Sequence, residues 1–216
     1  MLQPPLRPHP DRRPPRLAPT MRVWAALLAC GLLAASPSHA QTEVGQAVQT
    51  FSLPRVDGQG AAGVSAQLDR PVVLVWQSMR CPWDAARPGA GYQNEVTRLH
   101  AAYGDRFDFY AVNSNAGEAP ADLAQYAHNN GVAYPILKDA DGAVAQAYGA
   151  AVTPQFFVID TQRTLVYAGG FEQPPATPQQ CGDMPVPYLA PVLDAVAAGQ
   201  DPPFQRTQPK GCPIRR

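Results

Sequence analysis

Three cysteines beyond residue 40 carry the redox-capable chemistry of this chain: Cys81, Cys181 and Cys212. A thiolate attacks peroxides and disulfides, and after either attack it needs a second thiol to complete the cycle. Cys81 lies in "VVLVWQSMRCPWDAARP", residues 72–88, where a Val-rich run ends in Cys81-Pro82-Trp83-Asp84. Asp84 stands where a Cys-x-x-Cys dithiol would hold its second cysteine. The second thiol must therefore come from Cys181, Cys212 or another molecule.

Position favours a reactive Cys81. The strand-like run before it and Pro82, a residue favoured at the first helical position, predict a strand-to-helix junction. There, unpaired N–H groups and the helix dipole stabilise a thiolate. Arg80 adds positive charge if it turns inward. Asp84 is expected to act as a first-turn helix acid. Trp83 either shields the site or fills an apolar gap. Asn113-Ser114-Asn115, after a strand end, read as turn chemistry. Only His100 and His128 remain beyond residue 40, both on expected helices, so neither a zinc site nor a Cys–His enzyme is expected. No metal and no organic cofactor are called for.

The elements that must position Cys81 follow from periodicity. "PVVLVWQ" (71–77) reads as a central strand buried on both faces. "AVQTFSLPRVDGQG" (47–60) reads as a strand and turn, and "GVSAQLDR" as a second short piece. A helix is expected over "YQNEVTRLHAAYG" (92–104), with "RPGAG" (87–91) as a kink or inserted loop before it. A strand at 106–113, a helix at 120–131, a short extended stretch "AYPILKD" and a short helix "GAVAQAYG" come next. "TPQFFVID" (153–160) and "TLVYAGG" (164–170) form a hairpin, and "PYLAPVLDAVAAG" (187–199) the last helix. Residues 173–186 read as a loop and 200–216 as a Pro-rich tail. Strands alternating with helices predict one α/β domain over 41–199, a mixed sheet with helices on both faces.

The first forty residues stand apart. Residues 1–20 hold seven prolines without apolar periodicity and read as disordered or as a mis-assigned start. Residues 21–40 run from Arg22 through the apolar Val23–Ala35 to Ser38-His39-Ala40, the order of a signal peptide cleaved near Ala40. An exported, periplasmic or secreted protein is expected, not an integral membrane one. Without residues 1–40 the chain carries 12 basic and 16 acidic residues, and no basic run points to nucleic acid. Three exported cysteines predict one bridge and one free thiol.

These residues resemble the alkyl hydroperoxide reductase/thiol-specific antioxidant group of thioredoxin-fold redoxins, in its peroxiredoxin-like branch with a Cys-Pro-aromatic site. The likeness rests on Cys81-Pro82-Trp83, Val112-Asn113-Ser114-Asn115, "AYGAAVTPQFFVID" (147–160), "LVYAGG" and "GCPI" (211–214). It spans about residues 44–216 and implies a thioredoxin-like three-layer domain. It also implies a catalytic Cys81, a cis Pro154 facing it, and a substrate groove of Pro154, Thr153 and Trp83. Two departures stand out. Ser78 sits three before Cys81, but Leu74 replaces the family's proline, and its activating arginine cannot be placed on a residue here.

The implied activity is a thiol-dependent peroxidase acting on peroxide with an external thiol reductant. The alternatives are a thiol–disulfide oxidoreductase acting on protein or small-molecule disulfides, and a non-catalytic binding module. In the family, the tail cysteine, here Cys212, resolves the first. The presence of Cys181 in an oxidising compartment argues instead for a structural Cys181–Cys212 bridge with Cys81 free, and this pairing is the expectation.

Overall fold

A computed structural model describes residues 41–85, 91–182 and 186–216. The expected disordered start and signal peptide, and residues 87–90 of "RPGAG", lie outside the described residues. The elements are β1 (Phe51–Pro54), β2 (Ala61–Val64), β3 (Val72–Trp76), α1 (Gln93–Tyr103), β4 (Asp108–Asn113), α2 (Pro120–Asn129) and β5 (Ile136–Lys138). They continue with α3 (Ala143–Tyr148), β6 (Val152–Thr153), β7 (Gln155–Ile159), β8 (Leu165–Gly169), α4 (Leu189–Ala197) and β9 (Cys212–Pro213).

The Val-rich run becomes β3, the middle of a five-stranded sheet ordered β5-β4-β3-β7-β8. β3, β4 and β5 run parallel, while β7 and β8 are antiparallel additions. All five residues of β3 are buried because both faces of the sheet are covered. Val73 and Val75 face Val96 and Tyr103 of α1 and Leu189, Val192 and Leu193 of α4. Val72, Leu74 and Trp76 face the other way, onto Ala145, Ala147 and Tyr148 of α3. One alternating strand thus joins two apolar layers, the mixed-sheet, three-layer, thioredoxin-like arrangement expected from the sequence.

A buried polar chain fixes α3 to the end of β3. Trp76 Nε1 donates to Ser114 Oγ at 3.1 Å, and Ser114 Oγ donates to Asp139 Oδ2 at 2.7 Å. Asp139 accepts from Val144 N and Ala145 N in the first turn of α3. A carboxylate there satisfies N–H groups that have no partner within the helix.

The segment after Cys81 differs from the helix expected to start at Pro82. Residues 82–85 make one turn, with Asp84 N and Ala85 N donating to the Cys81 carbonyl, and α1 begins only at Gln93. The two pieces are still bonded: Tyr92 N donates to Trp83 O at 3.0 Å and Gln93 N to Asp84 O at 2.9 Å. A continuous helix would close these bonds four residues apart. Here the spacing is nine, five more than within a continuous helix. The Gly/Pro composition of "RPGAG" is the physical reason, since neither residue supports a helix interior.

Leu74 is fully buried on the central strand. Leu74→Ala is expected to lower stability by about 2–5 kcal/mol, read as a lower urea midpoint with an unchanged slope. An unchanged midpoint would contradict this placement of the core.

Candidate active site

The Pro-rich segment 200–216 returns to the sheet. Gln205 O accepts from Ala168 N, Thr207 N donates to Ala168 O, and Thr207 Oγ1 accepts from Gly170 N. The chain then pairs as β9 with β6, Thr153 opposite Cys212. Arg215 N donates to Asn115 Oδ1 and Ala116 N to Arg215 O, which pins the end beyond β9. Glycine makes this contact possible. A Cβ at Gly211 would collide with the Thr153 carbonyl, and one at Gly169 with Thr207. The sequence motifs "AGG" and "GC" therefore mark close backbone approach.

The return of the tail decides the cysteine pairing. Cys81 and Cys212 form a disulfide, with Cα atoms 5.8 Å apart, inside the usual range. The expected Cys181–Cys212 bridge is overturned, because β6–β9 pairing brings Cys212 to Cys81 and leaves Cys181 a free thiol. Cys181 sits half-buried with its Sγ 3.9 Å from Trp83 O. Burial, only partly offset by a hydrogen bond with Tyr92, pushes its thiol up to about 11. Such a thiol is mostly protonated at neutral pH and a poor nucleophile.

Cys81 is 2% exposed, whereas Cys212 is half-buried. Cys81 Sγ lies 2.9 Å from the Thr153 carbonyl oxygen, an acceptor for the thiol in the reduced state. The Thr153–Pro154 bond is cis, as the resemblance implied. A cavity of about 370 Å³ opens beside the bridge, lined in part by Arg80, Cys81, Thr153, Cys212 and Arg215. Pro154 is buried behind Thr153, and Trp83 stands outside the cavity under Lys210, whose Nζ is 5.0 Å from the ring centroid.

Beneath the cavity lies a buried network. Glu118, 2% exposed, accepts from Ser78 Oγ at 2.6 Å, Asn113 Nδ2 at 2.6 Å and Met79 N at 3.3 Å. Asn113 Oδ1 and Asn115 O accept from Lys138 Nζ at 2.8 and 2.7 Å. Asn113, Ser114 and Asn115 are thus buried structural connectors, beyond the local turn chemistry expected of them. Asp84 is also buried, and its Oδ2 accepts from Ser78 N. It ties the turn after Cys81 to the end of β3, where an acid stabilising the first turn of a helix was expected. Burial, together with the nearby Glu118 charge, holds the Asp84 carboxyl well above the usual carboxylate range despite the Ser78 bond. Glu118, Lys138 and Arg215 were not singled out in the sequence: each is an isolated charge in a loop, at a strand end or in the tail. His100 packs on Phe109 and Tyr134, in the layer with α1.

Residues 44–168 match the AhpC/TSA family model. The chain belongs to the AhpC/TSA family. No curated protein matches it. Among solved structures, a conserved protein from Geobacillus kaustophilus is 26% identical, with a TM-score of 0.70 over 82% of this chain and 93% of its own. A hypothetical protein from Sinorhizobium meliloti 1021 is 28% identical, with a TM-score of 0.69 over 81% and 95%. This AhpC/TSA domain is a thioredoxin-fold redoxin with a Cys81–Cys212 disulfide. The serine three before Cys81, Ser78, is committed to Glu118. Among the described residues, no three His, Cys, Asp or Glu side chains gather as a metal site, and no helix is long and apolar enough to cross a membrane.

Two outcomes test this geometry. Gly211→Ala should slow and leave incomplete the oxidation of Cys81 to the bridge, measured by counting alkylatable thiols; wild-type oxidation would contradict the close approach. Asp84 binds its proton more tightly folded than unfolded, so its contribution to stability falls as pH rises above the unfolded value of 3.8. The stability of oxidised Asp84→Asn relative to wild type should therefore increase as pH rises above 3.8. A stability difference that does not change with pH would contradict the burial argument.

Proposed function

We propose that the protein is an exported thiol-dependent peroxidase, with Cys81 as nucleophile and Cys212 as resolving thiol. The Cys81–Cys212 bridge carries this reading. A sulfenic acid formed on Cys81 would meet Cys212 at bonding range and without domain rearrangement. In the reduced protein the Cys81 thiolate attacks a peroxide oxygen. The O–O bond breaks, and the departing oxygen leaves with a proton as alcohol or water. Cys212 then displaces hydroxide from the Cys81 sulfenic acid, water leaves, and the disulfide forms. Two external thiols return the pair to the dithiol while they become a disulfide.

Family membership supports the peroxide chemistry, and the positive Arg80 and Arg215 at the cavity favour a thiolate there. Export rests on the order of Arg22, apolar run and Ser38-His39-Ala40, with the mature chain starting near Gln41. A second reading, thiol–disulfide exchange with another protein, is favoured by the half-buried Cys212 at the cavity edge, where an incoming thiolate can reach it.

Peroxide consumption driven by dithiothreitol tests the first reading. Wild type should turn over and Cys81→Ser should fall to the uncatalysed background. Cys212→Ser, first reduced and then freed of dithiothreitol, should on peroxide addition accumulate a Cys81 sulfenic acid that a dimedone probe labels. Equal peroxide loss by wild type and Cys81→Ser would refute the peroxidase. Insulin reduction by wild type but not by Cys81→Ser would then favour exchange.

A further inference from the structure

The bridged state is the form that a reductant meets, and the cavity lies directly beside its sulfurs. Its volume, about 370 Å³, falls at the small end of small-molecule sites. Its wall is built from donors. Arg80 and Arg215 line it, and neither guanidinium has a hydrogen-bond or ion-pair partner among the described residues. Asn115 and Thr153 line it too, at 7% and 1% exposure. The Nδ2 of Asn115 and the Oγ1 of Thr153 are buried without a hydrogen-bond partner. Native proteins leave few such atoms, and those that occur call for an explanation. The single acid on the wall among the described residues, Glu118, already accepts from Ser78 Oγ, Met79 N and Asn113 Nδ2. The cavity therefore offers unmatched cations and an amide donor beside a disulfide.

We propose that the reductant of this site is a small thiol bearing carboxylates, whose carboxylates pair with Arg80 and Arg215 while its sulfur reaches Cys212. The inference rests on the reading of Cys81 and Cys212 as a redox pair. Guanidinium forks match carboxylates in a bidentate geometry. Of the two bridge sulfurs, Cys212 is the more accessible, so the thiolate attacks Cys212 Sγ and the S–S bond breaks. Cys81 leaves as a thiolate and takes a proton from water. A second molecule of the same thiol attacks the mixed disulfide, releases the small-molecule disulfide and frees Cys212. Two thiols are oxidised for each bridge reduced.

The test follows reduction of the oxidised full chain by mercaptosuccinate, 2-mercaptoethanol and cysteamine, with acid quench, alkylation and mass analysis. Each rate is divided by the rate of the same thiol with hydroxyethyl disulfide, which removes its intrinsic reactivity. The normalised rates should fall from the anionic to the neutral to the cationic thiol, spanning about tenfold or more at low salt. Half-molar salt should flatten the series. So should R80Q/R215Q, while R80K/R215K should keep a weaker preference. Both arginines are exposed, so folding is expected to survive, and near-ultraviolet circular dichroism checks it. Rates independent of thiol charge, or a preference unchanged in R80Q/R215Q, would overturn the inference and leave the peroxidase reading standing. A bridge that no thiol reduces would overturn both. Rapid reduction by a protein dithiol together with a flat small-thiol series would transfer the cavity to a protein partner and overturn the proposal.

Discussion

The pairing of β9 with β6 is the constraint on which the site depends. It sets Thr153 opposite Cys212 and so places a cysteine 131 residues away in sequence against Cys81. The same two-residue ladder closes one side of the cavity and carries Arg215 to its rim. It requires Gly211, since any side chain there would strike the Thr153 backbone. The rest of the tail reinforces it through Ala168, Gly170, Asn115 and Ala116. On the chain-entropy model, a crosslink over a loop of this length stabilises the fold by about 5 kcal/mol. Reduction therefore removes stability as well as a bond, and the backbone ladder is what can hold the tail in place when the bridge is reduced.

A second constraint lies under the cavity. Glu118, Asp84, Asn113 and Lys138 are polar or charged groups taken out of water near Cys81. Each such burial costs free energy unless its hydrogen bonds are replaced. Glu118, Asn113 and Lys138 are connected to one another directly or through a shared partner, and Asp84 joins through Ser78. A connected network with few alternatives is stiff. It fixes the end of β3, the turn after Cys81 and the loop after β4 as one unit, against which the cysteine sulfur is presented.

The architecture was legible where apolar pattern dominates. The Val-rich β3, the alternating Phe107, Phe109 and Ala111, the hairpin of β7 and β8 and the amphipathic α4 all follow from periodicity. The position of Cys81 at the end of the central strand followed too. The interrupted helix was only half visible: "RPGAG" reads as a break, but nothing local says that Tyr92 and Gln93 bond back across it to Trp83 and Asp84. The cysteine pairing departs from the expectation because a Pro-rich tail carries no apolar period; its return to β6 is marked in the sequence only by the glycines and by the family match at "GCPI". Asp84 was misread for a related reason. An acid in a first turn is normally solvated, and only the tertiary approach of Ser78 and Glu118 buries it.

The account therefore turns on which sulfurs meet when the protein is oxidised. A nonreducing peptide map of the fully reduced chain after one equivalent of hydrogen peroxide measures this directly, with remaining thiols alkylated before digestion. The account predicts a Cys81–Cys212 linked peptide and an alkylated Cys181. A Cys181–Cys212 or Cys81–Cys181 peptide as the main product would contradict it.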